Sequence, residues 1–260
     1  MARVALFQID VGDGETSQTR FERVLEAIVD QKGKCDLAIL PELWMDGAFN
    51  IESAINNAQP ITGDFVTRMS LAAMQAGIWL HAGSFAEKEE NEIFNTSVLI
   101  NPDGLIEQVY RKIHLFGFDS SEALEFKAGS KVVVATNGPL GTVGLSTCYD
   151  LRFPELFRAS VDQNVQTFLI TSGWPEARIA HWRILLQARA IENQCWVVAC
   201  NEVGVNGDIR LGGNSMIISP RGEVVLDAGT QEGVFYADID LSLVEETRSS
   251  FPVLRDRVLD

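Results

Sequence analysis

Apolar positions along this chain alternate between two patterns. Short runs of apolar and small residues at 4–8, 36–40, 78–84, 142–147, 166–171 and 195–201 predict strands buried on both faces. Between them, apolar residues recur every three or four positions. Residues 17–31 place Phe21, Val24, Leu25, Ile28 and Val29 on one stripe, with Gly33 as the stop, which predicts an amphipathic helix. Further helices are expected over about 64–75, from Pro154 onward, and over about 180–193. An internal repeat also stands out. Asn95–Val109 and Asn214–Leu226 both read as strand, x-Pro-x-Gly turn, strand, with Pro102 and Pro220 presetting the turn and Gly104 and Gly222 accepting its strained position. The chain thus predicts two αβ halves whose sheets face each other with helices outside. No linker or composition break divides it, so residues 1–260 are expected to form one domain.

Composition narrows the picture. Hydrophobic residues make up 46% and charged residues 22% of the 260, an ordinary globular balance. The formal net charge of −15 disfavours nucleic acid and anionic membranes as partners, since both need a basic face. No stretch approaches the roughly 18 apolar residues of a membrane span. The N-terminal segment reads as a first strand and not as a signal peptide. Cys35, Cys148, Cys195 and Cys200 form no CxxC pair, which suits reduced thiols in the cytoplasm. His81, His114 and His181 lack metal-ligand spacing, and Gly12-Asp-Gly14 and Leu211-Gly-Gly213 are turn signals, not phosphate loops. No metal or cofactor is expected.

Three segments place chemistry just past a strand. Gly144-Leu-Ser-Thr-Cys148-Tyr-Asp-Leu-Arg-Phe-Pro-Glu155 reads as strand end, sharp turn and a helix opened by Pro154. A thiol there lies near the positive end of a helix, where a thiolate is favoured. Ala38-Ile-Leu-Pro-Glu42 is an apolar run ending in one carboxylate, and Tyr110-Arg-Lys112-Ile-His-Leu-Phe116 is a basic cluster closing an extended segment. Each has a bland alternative: a buried cysteine, a helix cap, a solvated basic face. Taken together, a thiol, a carboxylate and an amine form a coherent set for attacking an amide carbon. Cys35, Cys195 and Cys200 read as buried hydrophobes, and Arg111 and His114 as structural.

These three segments resemble the three motifs of the nitrilase superfamily of carbon–nitrogen hydrolases. Tyr110–Gly117, Cys148–Glu155 and Ala180–Gln194 look most like its omega-amidase and deaminated-glutathione-amidase branch. The resemblance implies an αββα sandwich that dimerises through its helices. It implies Cys148 as nucleophile, Glu42 as the base that takes its proton, and Lys112 with the Tyr149 backbone N–H facing the oxyanion. Glu122, seven residues before Gly129, falls where related amidases place a second glutamate, with Glu125 as a nearby competitor. The substrate class implied is a small linear amide, an omega-amide of a dicarboxylic or 2-oxo acid; no residue can be named for its distal carboxylate. Rival readings are a nitrilase, which usually carries Cys-Trp-Glu where this chain has Cys148-Tyr-Asp150, an N-carbamoyl hydrolase, a Cys–His hydrolase using His114 or His181, and a non-catalytic scaffold of the same fold.

Overall fold

The computed structural model describes residues 1–117 and 122–258. The first half runs β1 (Ala2–Gln8), α1 (Ser17–Val29), β2 (Leu37–Ile39), α2 (Ile51–Asn56), α3 (Asp64–Ala76), β3 (Trp79–Glu89), β4 (Glu92–Ile100) and β5 (Ile106–Arg111). After α4 (Glu122–Glu125) come β6 (Val134–Gly138), β7 (Gly141–Thr147), α5 (Pro154–Val161), β8 (Thr167–Ser172), α6 (Ile179–Asn193) and β9 (Trp196–Asn201). The chain closes with β10 (Val203–Asn206), β11 (Ile209–Gly212), β12 (Met216–Ile218), β13 (Val224–Asp227), β14 (Gly233–Ile239) and α7 (Ser242–Ser250). Short 3-10 turns occupy Cys148–Arg152 and Glu176–Arg178.

Two mixed six-stranded sheets result, ordered β14-β1-β2-β3-β4-β5 and β13-β12-β9-β8-β7-β6. Side-chain alternation divides their residues among three apolar layers. Val4, Leu6, Leu37 and Ile39 of the first sheet meet Leu145, Leu169, Val198 and Ile217 of the second in a central layer. The opposite side chains of β1, Ala5 and Phe7, pack with Phe21, Val24 and Ile28 of α1 and Phe65 and Met69 of α3. On the far side, Phe168, Ile170 and Val197 pack with Phe157 of α5 and Trp182 and Leu186 of α6. This is the αββα sandwich expected from the sequence. Both sheets are covered on both faces, which is why their strands read as continuous apolar runs. No helix among the described residues is long and apolar enough to cross a membrane.

Several boundaries differ from the sequence reading. Helix α1 is capped by Thr16, whose side chain accepts the Thr19 N–H at 3.1 Å. It ends at Val29, because Gln31 and Lys32 donate three residues back, to Ile28 and Val29, and tighten the last turn. Gly33, at φ +72°, sits in the turn beyond. The β10–β11 hairpin, α2, α7 and the edge strand β14 were not anticipated. Strand β14 is half-exposed over most of its length and lacks a continuous apolar run.

Gly83 in β3 fixes the loop after β2. Its φ is +69°, and a Cβ there would lie 2.1 Å from the Pro41 carbonyl oxygen. That close approach lets Ser84 donate its N–H to Pro41 at 3.1 Å and accept the Leu43 N–H on its hydroxyl at 3.0 Å. Gly83→Ala is expected to cost at least about 2 kcal/mol of stability, from strained backbone plus clash. Urea denaturation of the variant against wild type measures this, and an unchanged midpoint would contradict it.

Candidate active site

The first sheet supplies a buried charge cluster. Pro41 ends the extended run of β2, Leu43 turns at φ +44°, and Trp44 anchors the loop through Nε1 to the Ala82 carbonyl at 2.9 Å. Glu42 is thereby held inward. Its Oε1 accepts from Lys112 Nζ at 2.7 Å and from Asn95 Nδ2 at 2.9 Å, and its Oε2 accepts the Gly173 N–H at 3.0 Å. Lys112 follows β5, where its N–H donates to the Asn95 carbonyl. Its ammonium also donates to both oxygens of Glu122, at 2.8 and 2.9 Å. Glu122 further accepts from Asn95 Nδ2 at 2.9 Å and from the Phe116 N–H at 2.8 Å. Glu42, Lys112 and Glu122 expose 3%, 1% and 4% of their surface, so water does little to screen them. Burial would push the Lys112 ammonium down, but Glu122 and Glu42 outweigh it and hold its pKa above the ordinary lysine range.

The structure thus separates the two glutamate candidates. Glu122 is buried against Lys112, while Glu125, one helical turn on, is exposed. Asn95 and Gly173 escaped the sequence reading. Asn95 looked like an ordinary strand residue, and Gly173 acts through backbone alone.

The second sheet supplies the thiol. Strand β7 ends at Thr147, and Cys148 adopts φ +46°, an uncommon left-handed conformation at the head of its 3-10 turn. Asp150 fixes that turn. Its Oδ2 accepts the Thr147 N–H at 2.9 Å and the Tyr110 hydroxyl at 2.6 Å, and its Oδ1 accepts the His114 N–H at 2.9 Å. Pro154 opens α5 as expected. The expected ease of ionisation is not found. Burial and the Glu42 carboxylate raise the Cys148 thiol well above its ordinary pKa, outweighing the opposite pull of Lys112. The α-helix after Cys148 begins only at Pro154, away from the thiol, and Glu42 and Glu122 both oppose the pull of Lys112.

Glu42, Lys112, Glu122, Cys148 and Tyr149 line one cavity of about 620 Å³. Arg152, Trp174 and Arg178 line it too, as do the hairpin residues Asn206–Ile209. Just behind the wall, Glu202 accepts the Ala48 N–H at 3.3 Å. Burial, reinforced by Glu42, raises its carboxyl well above the usual range. None of the three histidines is among the lining residues. His81 is fully buried, which pushes its pKa down to about 4. His114 Nδ1 lies 2.7 Å from Asp150, and His181 is exposed beside Arg152. Arg111 is spent on Glu87 and Glu89. Among the described residues, no group of three or more His, Cys, Asp or Glu side chains could hold a metal.

Residues 3–249 match the family model for carbon-nitrogen hydrolases. The chain belongs to that family, and within it to the omega-amidase and deaminated-glutathione-amidase branch. It is 40% identical to a 2-oxoglutaramate amidase of Paenarthrobacter nicotinovorans, over 99% of this chain and 90% of the relative. A 2-oxoglutaramate amidase of Bacillus subtilis (strain 168) is 35% identical, over 97% and 96% of the two chains. Among solved structures, a CN-hydrolase superfamily protein of Xanthomonas campestris with an arsenic adduct in its active site superposes with a TM-score of 0.91 at 31% identity, covering 100% of this chain and 98% of that one.

The electrostatics make the reactivity of Cys148 testable. The negative charge of Glu42 raises the thiol pKa, so Glu42→Gln removes a repulsion and lowers it. The iodoacetamide alkylation rate of Cys148 in Glu42→Gln is therefore expected to rise at lower pH than in wild type. Mass spectrometry of labelled peptides across a pH series reads this out. A midpoint unmoved or moved upward would show that Glu42 does not face the sulfur.

Proposed function

We propose that this protein hydrolyses the terminal amide of a small dicarboxylic or 2-oxo acid to a carboxylate and ammonia, through a thioester on Cys148. The observation that carries the reading is the Glu42–Lys112–Glu122 cluster bordering the same cavity as the Cys148 thiol. As sulfur attacks the amide carbon, Glu42 takes the thiol proton. Negative charge moves to the carbonyl oxygen, where the Lys112 ammonium and the Tyr149 N–H stabilise it. Collapse breaks the C–N bond, and Glu42 returns the proton to the departing nitrogen, which leaves as ammonia. Glu42 then deprotonates a water that attacks the thioester; the sulfur leaves and recovers that proton. Glu122 keeps Lys112 in place and orients the bound amide and water.

The names of the similar enzymes from P. nicotinovorans and B. subtilis support the omega-amide class. A nitrilase or carbamoyl hydrolase would use the same trio and is separated from this reading only by substrate. Exclusion of the histidines from the cavity lining argues against a Cys–His mechanism. Ile184 and Ile191, 65% and 54% exposed on α6, offer an apolar face that a second copy would cover in a homodimer. Four free cysteines suit a cytoplasmic location.

Cys148→Ala and Cys148→Ser are each expected to lower kcat by roughly a thousandfold or more while the fold persists. Ammonia release and circular dichroism check the two halves of that statement. A Cys148→Ala protein keeping more than a few per cent of wild-type kcat would exclude the thioester. For substrate, 2-oxoglutaramate is expected to exceed pentanamide, a neutral amide of equal length, by at least about tenfold in kcat/KM. The matching nitrile is expected to be turned over poorly. Equal turnover of the two amides would leave the chemistry but remove the omega-amide class.

A further inference from the structure

Resting on that reading, we infer that Arg178 is the specificity-determining residue that grips the substrate's distal carboxylate. Cations near the cavity are few in a protein of net charge −15, and most are committed. Lys112 is enclosed by its two carboxylates. Arg152 lies over the Trp174 ring at 4.7 Å, and its Nη2 is 3.4 Å from His181 Nδ1. Arg178 differs. Its guanidinium lies 5.5 Å from the centre of the Phe116 ring, and among the described residues none of its N–H donors meets a protein acceptor. A half-buried guanidinium with its planar fork unspent, facing a cavity, matches the geometry of a carboxylate.

The scaffold also sets its position relative to the chemistry. Arg178 closes the 3-10 turn Glu176–Arg178, where its carbonyl accepts Trp174 Nε1 at 2.9 Å. The Phe116 beneath it donates its N–H to Glu122 and meets the Tyr149 ring edge-on at 5.3 Å. One aromatic ring therefore spaces the guanidinium from the residue after the nucleophile. This favours a substrate whose carboxylate is separated from its amide by a short chain. Nearby acids do not cancel the charge. Glu176 faces Arg210 at 3.7 Å, and Asp208 is an exposed residue at the hairpin tip, where solvent screens it.

Steady-state kinetics on 2-oxoglutaramate and pentanamide decide the matter through the ratio of their kcat/KM values. Losing one charge-assisted contact is expected to lower that ratio about ten- to hundredfold in Arg178→Gln, chiefly through KM for 2-oxoglutaramate. Arg178→Lys, which keeps the charge but not the fork, is expected to lower it by only several-fold, and Arg152→Gln by under about threefold. Should Arg178→Gln fail to fold, Arg178→Lys decides by the same ratio, and no change there would overturn the assignment. Wild type favouring 2-oxoglutaramate with the ratio unchanged in Arg178→Gln would also overturn it and leave the proposed function standing. So would equal loss on both substrates, or a larger fall in Arg152→Gln. A wild-type enzyme indifferent to the carboxylate would remove both.

Discussion

One buried ammonium shared by two carboxylates is the constraint around which this site is organised. Glu42 and Glu122 are both buried against Lys112, and desolvating all three is tolerable only because nearly every lone pair and proton has a partner. The cluster sets two carboxyl groups and one ammonium beside Cys148, and burial together with Glu42 opposes loss of the thiol proton to solvent. Passing that proton to Glu42 only relocates the charge. In the proposed reaction the thiol proton passes to Glu42 only as the electrophile arrives, and the charge moves on to the oxygen that Lys112 stabilises.

The two sheets meet at this cluster. Glu42 and Lys112 come from the first sheet, Cys148 and Gly173 from the second, and the hydrogen bond from Gly173 to Glu42 crosses between them. A second tie lies beside it, where the Thr171 hydroxyl donates to the Leu40 carbonyl at 2.7 Å. Gly129, in the segment between α4 and β6, packs against the end of β5: a Cβ there would sit 2.1 Å from the Arg111 carbonyl oxygen, and its N–H donates to the Lys112 carbonyl at 2.8 Å. Backbone contacts of this kind make the relative position of the sheets a determinant of acid–base geometry.

Much of this was legible in the sequence, for identifiable reasons. Strands buried on both faces leave uninterrupted apolar runs, so β1, β2, β8 and β9 were visible; a half-exposed edge such as β14 leaves none. Glu42, Lys112 and Cys148 were legible because each reactive type stands just beyond a strand. Asn95 was not, since nothing in Asn95-Thr-Ser-Val distinguishes an amide bridging two carboxylates from one facing water. The ionisation of Cys148 was misjudged because pattern shows the element that follows a residue and not the charges that fold against it. Glu122 and Glu125 could be separated only by helix phase, which places one inward and the other in solvent.

Gly173 constrains how such an enzyme can diversify. A Cβ at that position would fall 2.1 Å from the Ala48 Cβ and 2.7 Å from Glu202 Oε2, so this stretch of the cavity wall is bare backbone with no side chain to exchange. A side chain at this wall meets a steric veto from Ala48 and Glu202. Elsewhere the same cavity is lined by side chains that can be exchanged, Arg152, Arg178 and Ile209 among them. Any reshaping of the cavity must therefore come from those side chains, one at a time, and not from the wall at Gly173.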